Sequence, residues 1–265
     1  MSRYLGPQFD HFLKEVLPGL DLDWRRHRRK GVRRKVADRL RALGLRSLEQ
    51  YRRRLDADPL EKARLTALLG VTISRFFRDW PVFEFLARSV WPDWAGRERV
   101  IFFSAGCASG EEPYSLAMLW REAGPPGVRA LILAQDLCPE SLARARRGVY
   151  QESSLREVPD WLRDRYFEFR GREWRLVPEI REMVHFYQAD FRLSGPPAPL
   201  DLALCRNMAY TYFDSAGRRQ TTERLVAVLR PGGCLVVGAK EEIGPEARLK
   251  WIHPCVYLRT TGSKP

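Results

Sequence analysis

The sequence predicts an α/β protein in two parts: an all-α segment over residues 1–90, then a doubly wound domain over 97–265. Three observations predict it. Apolar residues recur at helical spacing up to about residue 90. From Val100 onward, short apolar runs alternate with amphipathic segments. Between the first of those runs and the segment after it lies a Gly-rich junction, where a strand turns into a helix.

In chain order, Phe9, Phe12, Leu13 and Val16 share one face of a first helix. Val32, Val36, Leu40 and Leu43 stripe a second, which Gly44 closes. Ser47 can cap a third through Tyr51 and Leu55, and Asp58 or Pro59 opens a fourth that runs through Leu65, Leu68 and Leu69 to Gly70. Trp80 to Val90 reads as a further amphipathic helix, and Trp91-Pro92 with Gly96 as a linker. Strands are expected at Val100–Phe103, Ala130–Ala134, Val184–Tyr187, Leu202–Leu204, Cys234–Val237 and Val256–Leu258, with helices at Tyr114–Arg121, Pro139–Arg146 and Arg218–Leu229 between them. Pro231-Gly232-Gly233 turns the chain into a late strand. Between Tyr166 and Phe186 the rhythm breaks. Phe167–Phe169, Glu173–Val177 and Val184–Phe186 look like short strands around Gly171, so a small antiparallel β insertion is expected over 164–188.

The 265 residues are 45% hydrophobic, enough for a real core, and contain no apolar run of membrane-spanning length. The N-terminus lacks the basic-then-apolar pattern of a signal peptide, so a cytoplasmic protein is expected. Five cysteines without a Cys-x-x-Cys pair, and four scattered histidines, read as reduced thiols and no metal centre. The net charge of +13 is uneven: residues 1–90 hold 21 basic and 11 acidic residues, a net of +10. Eleven of the basic residues fall between Arg25 and Arg46, against the single acid Asp38. Three readings stay open for this run: a solvated helix face, a nucleic-acid surface, or a surface for an acidic protein. Against nucleic acid, the run lacks interleaved aromatics and no nucleic-acid-binding motif accompanies it.

The junction itself runs Phe103-Ser104-Ala105-Gly106-Cys107-Ala108-Ser109-Gly110-Glu111-Glu112-Pro113-Tyr114-Ser115. A strand, a Gly-rich turn and a helix form a cradle for a nucleotide-like cofactor. Glu111 and Glu112 put negative charge where a phosphate would otherwise sit, and no Lys-Ser/Thr ending follows. A cofactor with a positive centre and no phosphate, such as S-adenosylmethionine, fits better.

Three separated motifs point one way: Thr72-Ile73-Ser74-Arg75-Phe76-Phe77-Arg78-Asp79, the junction Ser104–Ser115, and Leu204-Cys205-Arg206-Asn207 followed by Tyr212-Phe213-Asp214. In this order and spacing the chain resembles the chemotaxis-receptor protein-glutamate O-methyltransferases of the CheR type. Arg39-Leu40-Arg41-Ala42-Leu43-Gly44-Leu45 and Ala134-Gln135-Asp136, with Ala143 and Gly148-Val149-Tyr150 behind it, extend the similarity over nearly the whole chain. The resemblance implies a class I S-adenosylmethionine-dependent methyltransferase domain carrying the small β insertion, preceded by the all-α domain. It also implies methyl transfer to glutamate side chains, with S-adenosylhomocysteine as product.

Residue by residue, the resemblance implies a cofactor site built from Thr72, Ser74, Arg78, Ala105, Gly106, Glu112, Asp136, Asp190, Phe191, Arg206 and Asn207, with Glu111 a weaker candidate. Arg78, Arg206 and Tyr212 are the expected catalytic residues, and Arg33, Arg34 and Arg41 of the basic helix the expected docking residues for an acidic, helical, chemoreceptor-like partner. A carboxylate at Asp136, ending the second strand, can accept both ribose hydroxyls, or it caps the helix that starts at Pro139. Glu112 can hold the cofactor's ammonium, or it complements the helix dipole. Arg78 orients the acceptor, or pairs with Asp79 or Glu84. Tyr212 positions the acceptor through its hydroxyl, or is an ordinary buried aromatic. A monomer is expected, meeting a membrane only through a receptor.

Several positions depart from the family pattern. An extra residue separates Arg206-Asn207 from Tyr212, so Tyr210 competes with Tyr212 for the acceptor role. Asp190 and Thr72 stand where asparagine is common, the β insertion is short, and Gly238-Ala239-Lys240-Glu241-Glu242 replaces a more usual Gly-His-Ser-Glu. The alternatives are the same chemistry on another protein or a small carboxylic acid, and a cofactor-binding regulatory module without turnover. A nucleic-acid methyltransferase would carry an Asn/Asp-Pro-Pro-Tyr-type motif, which is absent.

Overall fold

The computed structural model describes residues 7–70, 74–197, 199–246 and 248–261. The chain divides into two compact units, Met1–Val71 with Thr211–Gln220, and Thr72–Tyr210 with Thr221–Pro265.

In the first unit, helices α1 (Pro7–Val16), α2 (Lys30–Ala42), α3 (Leu48–Ala57) and α4 (Pro59–Leu69) follow the expected stripes. Phe9, Phe12 and Leu13 of α1 and Val32, Val36 and Leu40 of α2 are buried, and Phe12 stacks on Tyr51 of α3 with centroids 5.9 Å apart. Ser47 Oγ caps α3 by accepting from the Gln50 amide at 3.2 Å. Asp58 Oδ1 caps α4 by accepting from Leu60 and Glu61, and Pro59 fills the first turn, where no amide is needed. Glu61, 1% exposed, is a charged group within this core; it accepts from Arg39 Nε at 2.8 Å and the Tyr51 hydroxyl at 2.9 Å. The short segment from the distant part of the chain joins by backbone pairing. The Asp23 amide donates to the Tyr212 carbonyl at 2.9 Å, the Asp214 amide donates to the Asp21 carbonyl at 3.1 Å, and Leu22 bridges to Phe213.

The second unit is built on a seven-stranded sheet. Strands β1 (Arg99–Ala105) and β2 (Arg129–Asp136) are followed by the two-residue β3 (Val149–Tyr150), then β4 (Phe167–Arg170) and β5 (Glu173–Leu176). After them come β6 (Val184–Gln188), β7 (Leu200–Cys205), β8 (Leu229–Val237), β9 (Leu249–His253) and β10 (Val256–Arg259). The large sheet is ordered β6-β2-β1-β7-β8-β10-β9, with β6 to β8 parallel and β10 and β9 antiparallel. Helices α5 (Trp80–Phe85), α6 (Glu111–Ala123), α7 (Pro139–Arg147) and α8 (Asp160–Tyr166) accompany it. The buried faces of β1 and β7 lack alternation because both sides of a central parallel strand are covered.

Two expectations change here. The segment after Trp80 belongs to the second unit's core, not to an N-terminal helical domain or a linker. Phe83, Trp91 and Trp94 are buried with Phe102 and Trp120, and Trp91 meets Trp120 edge-on at 5.0 Å. Val184–Gln188 is the parallel edge of the large sheet, paired with β2, while the small antiparallel sheet is β3-β5-β4 and takes its third strand from Val149–Tyr150. Among the described residues, no helix is long and apolar enough to cross a membrane.

Candidate active site

The Gly-rich junction lies between the end of β1 and α6, where an open parallel sheet presents its ligand crevice. The Gly106 and Cys107 amides both donate to the Gln135 carbonyl, at 2.8 and 2.9 Å, which ties the loop to the end of β2. Gly106 has φ +70°, and a Cβ there would come within 2.7 Å of Met208 Cγ. Gly110, at φ +91°, is packed against Ala145 and Phe186. Both positions therefore demand glycine.

Asp136 ends β2. Its Oδ2 accepts from the Ala108 amide at 2.8 Å and its Oδ1 from the Cys138 amide at 2.8 Å. It thus both braces the Gly-rich loop and caps the approach to α7. A carboxylate offers about four lone-pair positions, so roughly two remain for a diol. Burial pushes its carboxyl above the ordinary carboxylate range, against the pull of the amides it accepts from.

Glu112 sits in the first turn of α6. It accepts from Ser104 Oγ at 2.7 Å and from Arg206 at 3.3 Å. Burial raises its carboxyl too, opposed by the Arg206 charge. Arg206 follows β7 with its side chain 3% exposed, and it donates to Asp79 at 2.6 Å and to the Arg78 carbonyl at 2.8 Å. Its donors thus knit together three chain segments, which makes it a strut. Asn207, at φ +56°, donates its amide to Glu241 Oε2 at 2.8 Å, and the Gly238 amide donates to the same oxygen at 2.8 Å. Asp79, a carboxylate the motifs did not assign to the site, thereby joins Glu112 on Arg206, and the charge of Glu241, equally unassigned, acts on Glu112. The only sequence signal for Asp79 was its place directly after Arg78.

The remaining candidates fall as follows. Ala105 ends β1, buried, opposite Gln135. Ser74 is half-buried ahead of the turn over 76–79, and Thr72 lies outside the described residues. Arg78 is half-buried; Asp79 pairs with Arg206 and Glu84 with Arg88, so among the described residues its guanidinium has no ion-pair partner. Asp190 caps the short helix Phe191–Ser194 and gives both oxygens to Arg192, at 3.0 and 2.5 Å, while Phe191 is buried, stacked on Phe103 at 6.2 Å. Glu111 turns away into the protein, its Oε1 accepting from Ser109 and Ser154.

Tyr210 and Tyr212 separate. Tyr210 is a 4% exposed residue of the second unit whose hydroxyl bonds Thr222 at 3.1 Å. Tyr212 belongs to the first unit, its hydroxyl accepting from Arg29 at 3.3 Å and its ring 5.4 Å from the buried His27 ring. Of the docking candidates, Arg34 is exposed. Arg41 pairs with Asp38, and Arg33 lies over the Phe9 ring at 5.6 Å, 3.7 Å from Asp10.

This constellation fits S-adenosylmethionine. A carboxylate with spare acceptor capacity ends β2, two carboxylates share one arginine where an ammonium and a sulfonium need negative charge, and the buried Gln135 Nε2 has no partner among the described residues. No group of His, Cys, Asp or Glu among the described residues is arranged to hold a metal ion.

Comparison with known proteins agrees. A family model described as "CheR methyltransferase, SAM binding domain" matches residues 72–254. A chemotaxis protein methyltransferase of Listeria monocytogenes is 30% identical over 244 residues, covering 90% of this chain and 91% of its own. Chemotaxis protein methyltransferase 2 of Pseudomonas aeruginosa is 34% identical over 242 residues, 86% of this chain and 81% of its own. A chemotaxis protein methyltransferase of Borreliella burgdorferi is 25% identical over 242 residues, 86% and 85%.

Proposed function

This chain belongs to the CheR methyltransferase family and is an S-adenosylmethionine-dependent methyltransferase, and from that premise we propose that it methyl-esterifies glutamate side chains of an acidic, helical, chemoreceptor-like protein. The observation that carries this reading is the Arg78 guanidinium: it has no ion-pair partner among the described residues, and the carboxylate beside it, Asp79, is already committed to Arg206. An arginine without an ion-pair partner among the described residues, whose backbone carbonyl is held by Arg206, suits an acceptor that arrives as a carboxylate.

Glutamate is ionised near neutral pH, so no general base is required. The bound cofactor supplies an electrophilic methyl on a sulfonium; the acceptor oxygen's lone pair forms the new C–O bond as the C–S bond breaks, leaving a neutral ester and a neutral thioether. Glu112 and Asp136 hold the cofactor's ammonium and ribose, the Gly-rich loop lets the backbone approach it, and Arg206 keeps the segments carrying Arg78 and Glu112 in register. Arg78 orients the carboxylate. What remains of the task is in-line alignment and exclusion of water. An ion pair to Arg78 that is too tight would stabilise the ground state, so a half-buried guanidinium suits the role better than a fully buried one.

Incubation with methyl-labelled cofactor and a chemoreceptor cytoplasmic fragment tests the reading. Label that enters the fragment and leaves as methanol in mild base supports a glutamyl ester; base-stable label, or label only on other molecules, overturns it.

A further inference from the structure

The turn that carries Arg78 is held from a direction the sequence motifs do not indicate. Phe77 and Asp79 flank Arg78 with φ +51° and +63°, a left-handed region that costs non-glycine residues energy and persists only where the surroundings impose it. The imposing contacts are specific. The Phe77 amide donates to Ser115 Oγ at 2.8 Å, and the Phe76 amide to the Ser154 carbonyl at 3.0 Å. The Phe76 ring meets Tyr150 of β3 and Phe167 of β4 edge-on, at 4.7 and 5.0 Å. Glu157, on the loop between Ser154 and α8, spans the turn: Oε2 accepts from the Asp79 amide at 3.2 Å and Oε1 pairs with Arg75 at 3.0 Å.

We propose that Glu157 is a positioning residue for Arg78, and that the small β3-β5-β4 sheet, with the loop entering α8, is the seat of the catalytic turn. One carboxylate holds residues on both sides of Arg78, so the backbone between them keeps its left-handed flanks. The same restraint keeps the Asp79 side chain on Arg206. Without Glu157 the turn relaxes toward ordinary φ values and Asp79 leaves Arg206; Arg78, next to it in the chain, and Arg75, which has lost Glu157, are then the cations open to it, and a pair with Arg78 would neutralise the guanidinium. This inference rests on the proposed role of Arg78 in orienting the acceptor.

The test is a double-mutant cycle with labelled S-adenosylmethionine and a chemoreceptor cytoplasmic fragment. Glu157→Ala should lower kcat by roughly tenfold or more, since small misplacements of an aligning group are costly, with S-adenosylhomocysteine affinity unchanged by calorimetry. Glu157→Gln should keep most of the activity, because its amide oxygen still accepts from Asp79. In an Arg78→Ala background, Glu157→Ala should cost little more. A full additional loss in that background, or a parallel fall in cofactor affinity, overturns the proposal. Phenylglyoxal labelling of Arg78, read by peptide mass spectrometry, needs no acceptor: the rate should fall several-fold in Glu157→Ala, and an equal rate in wild type and variant also overturns it. A slowed labelling rate together with no methyl transfer by the wild type would count against the acceptor assignment and for the positioning of Arg78.

Discussion

Asp136 shows how one side chain serves two readings at once. The sequence left open whether it binds a ribose or caps a helix, and it already holds two amides while retaining acceptor capacity. Asp136→Ala should therefore weaken S-adenosylhomocysteine binding by roughly 1–3 kcal/mol and also loosen the Gly-rich loop; calorimetry with undiminished affinity would remove it from the site. Glu112 and Asp136 both have carboxyls raised by burial in the ligand-free protein. A cationic ammonium favours the charged form, so affinity should fall as pH drops through the raised carboxyl range, with protons released on binding in that range. Titrations in buffers of different ionisation heat would detect the release, and Glu112→Gln should reduce it. The sequence assigned the acceptor role to Tyr212 but left Tyr210 as a competitor, because the extra residue between the motifs blurs the register. Their surroundings differ: Tyr210 is buried on Thr222, Tyr212 reaches Arg29. Tyr212→Phe should lower kcat more than Tyr210→Phe, whereas Tyr210→Phe should lower Tm more. The reverse order in both measurements would transfer the acceptor role to Tyr210.

At the scale of elements, the first four helices and the central strands were legible because each buries one continuous apolar face or run. Leu13 and Val36 have no alternative place to go. Assignment to a core was not legible. The Trp80–Val90 periodicity states that a face is buried but not against what, and here Phe83 meets Phe77 edge-on at 5.4 Å and Phe85 stacks on His253 at 4.3 Å. Val184–Gln188 reads as part of the antiparallel insertion because it follows the short strands around Gly171, and nothing in its five residues shows that its partner is the distant β2. The charged knot between α2, α3 and α4 was invisible for another reason: Arg39 and Glu61 are ordinary helix residues until the packing brings them together. Hydrogen bonds from Arg39 hold the Glu61 carboxyl below its usual value. A depressed carboxyl stabilises the fold above its unfolded value and loses that contribution as pH falls through the folded one. Glu61→Gln should thus cost roughly 1–3 kcal/mol at neutral pH and flatten the acid limb of stability below about pH 4.5. Urea midpoints measured across that range, identical in slope for both proteins, would refute the assignment.

Across the whole molecule, the net charge of +13 concentrates before residue 90, but part of the basic run serves the fold. Arg33 covers Phe9 near Asp10, and Arg39 closes on Glu61. The exposed remainder includes Arg34 and Arg41. Reversing Arg34 and Arg41 to Glu should raise KM for an acidic protein acceptor several-fold at low salt and flatten its salt dependence, leaving cofactor affinity untouched; unchanged kinetics would return these residues to the role of a solvated face. The discontinuity of the first unit has a different bearing. The family match begins at residue 72, which invites treating everything before it as a detachable cassette. Yet Thr211–Gln220, well inside the matched span, is part of that cassette's own structure, zipped to Asp21 and Asp23 by backbone hydrogen bonds. Splicing at residue 71 would therefore part Phe213 from Leu22. Exchange of N-terminal segments between relatives, in the laboratory or by recombination, must carry two pieces of chain together, and a chimera that takes only the first inherits one side of the Leu22–Phe213 bridge without the other.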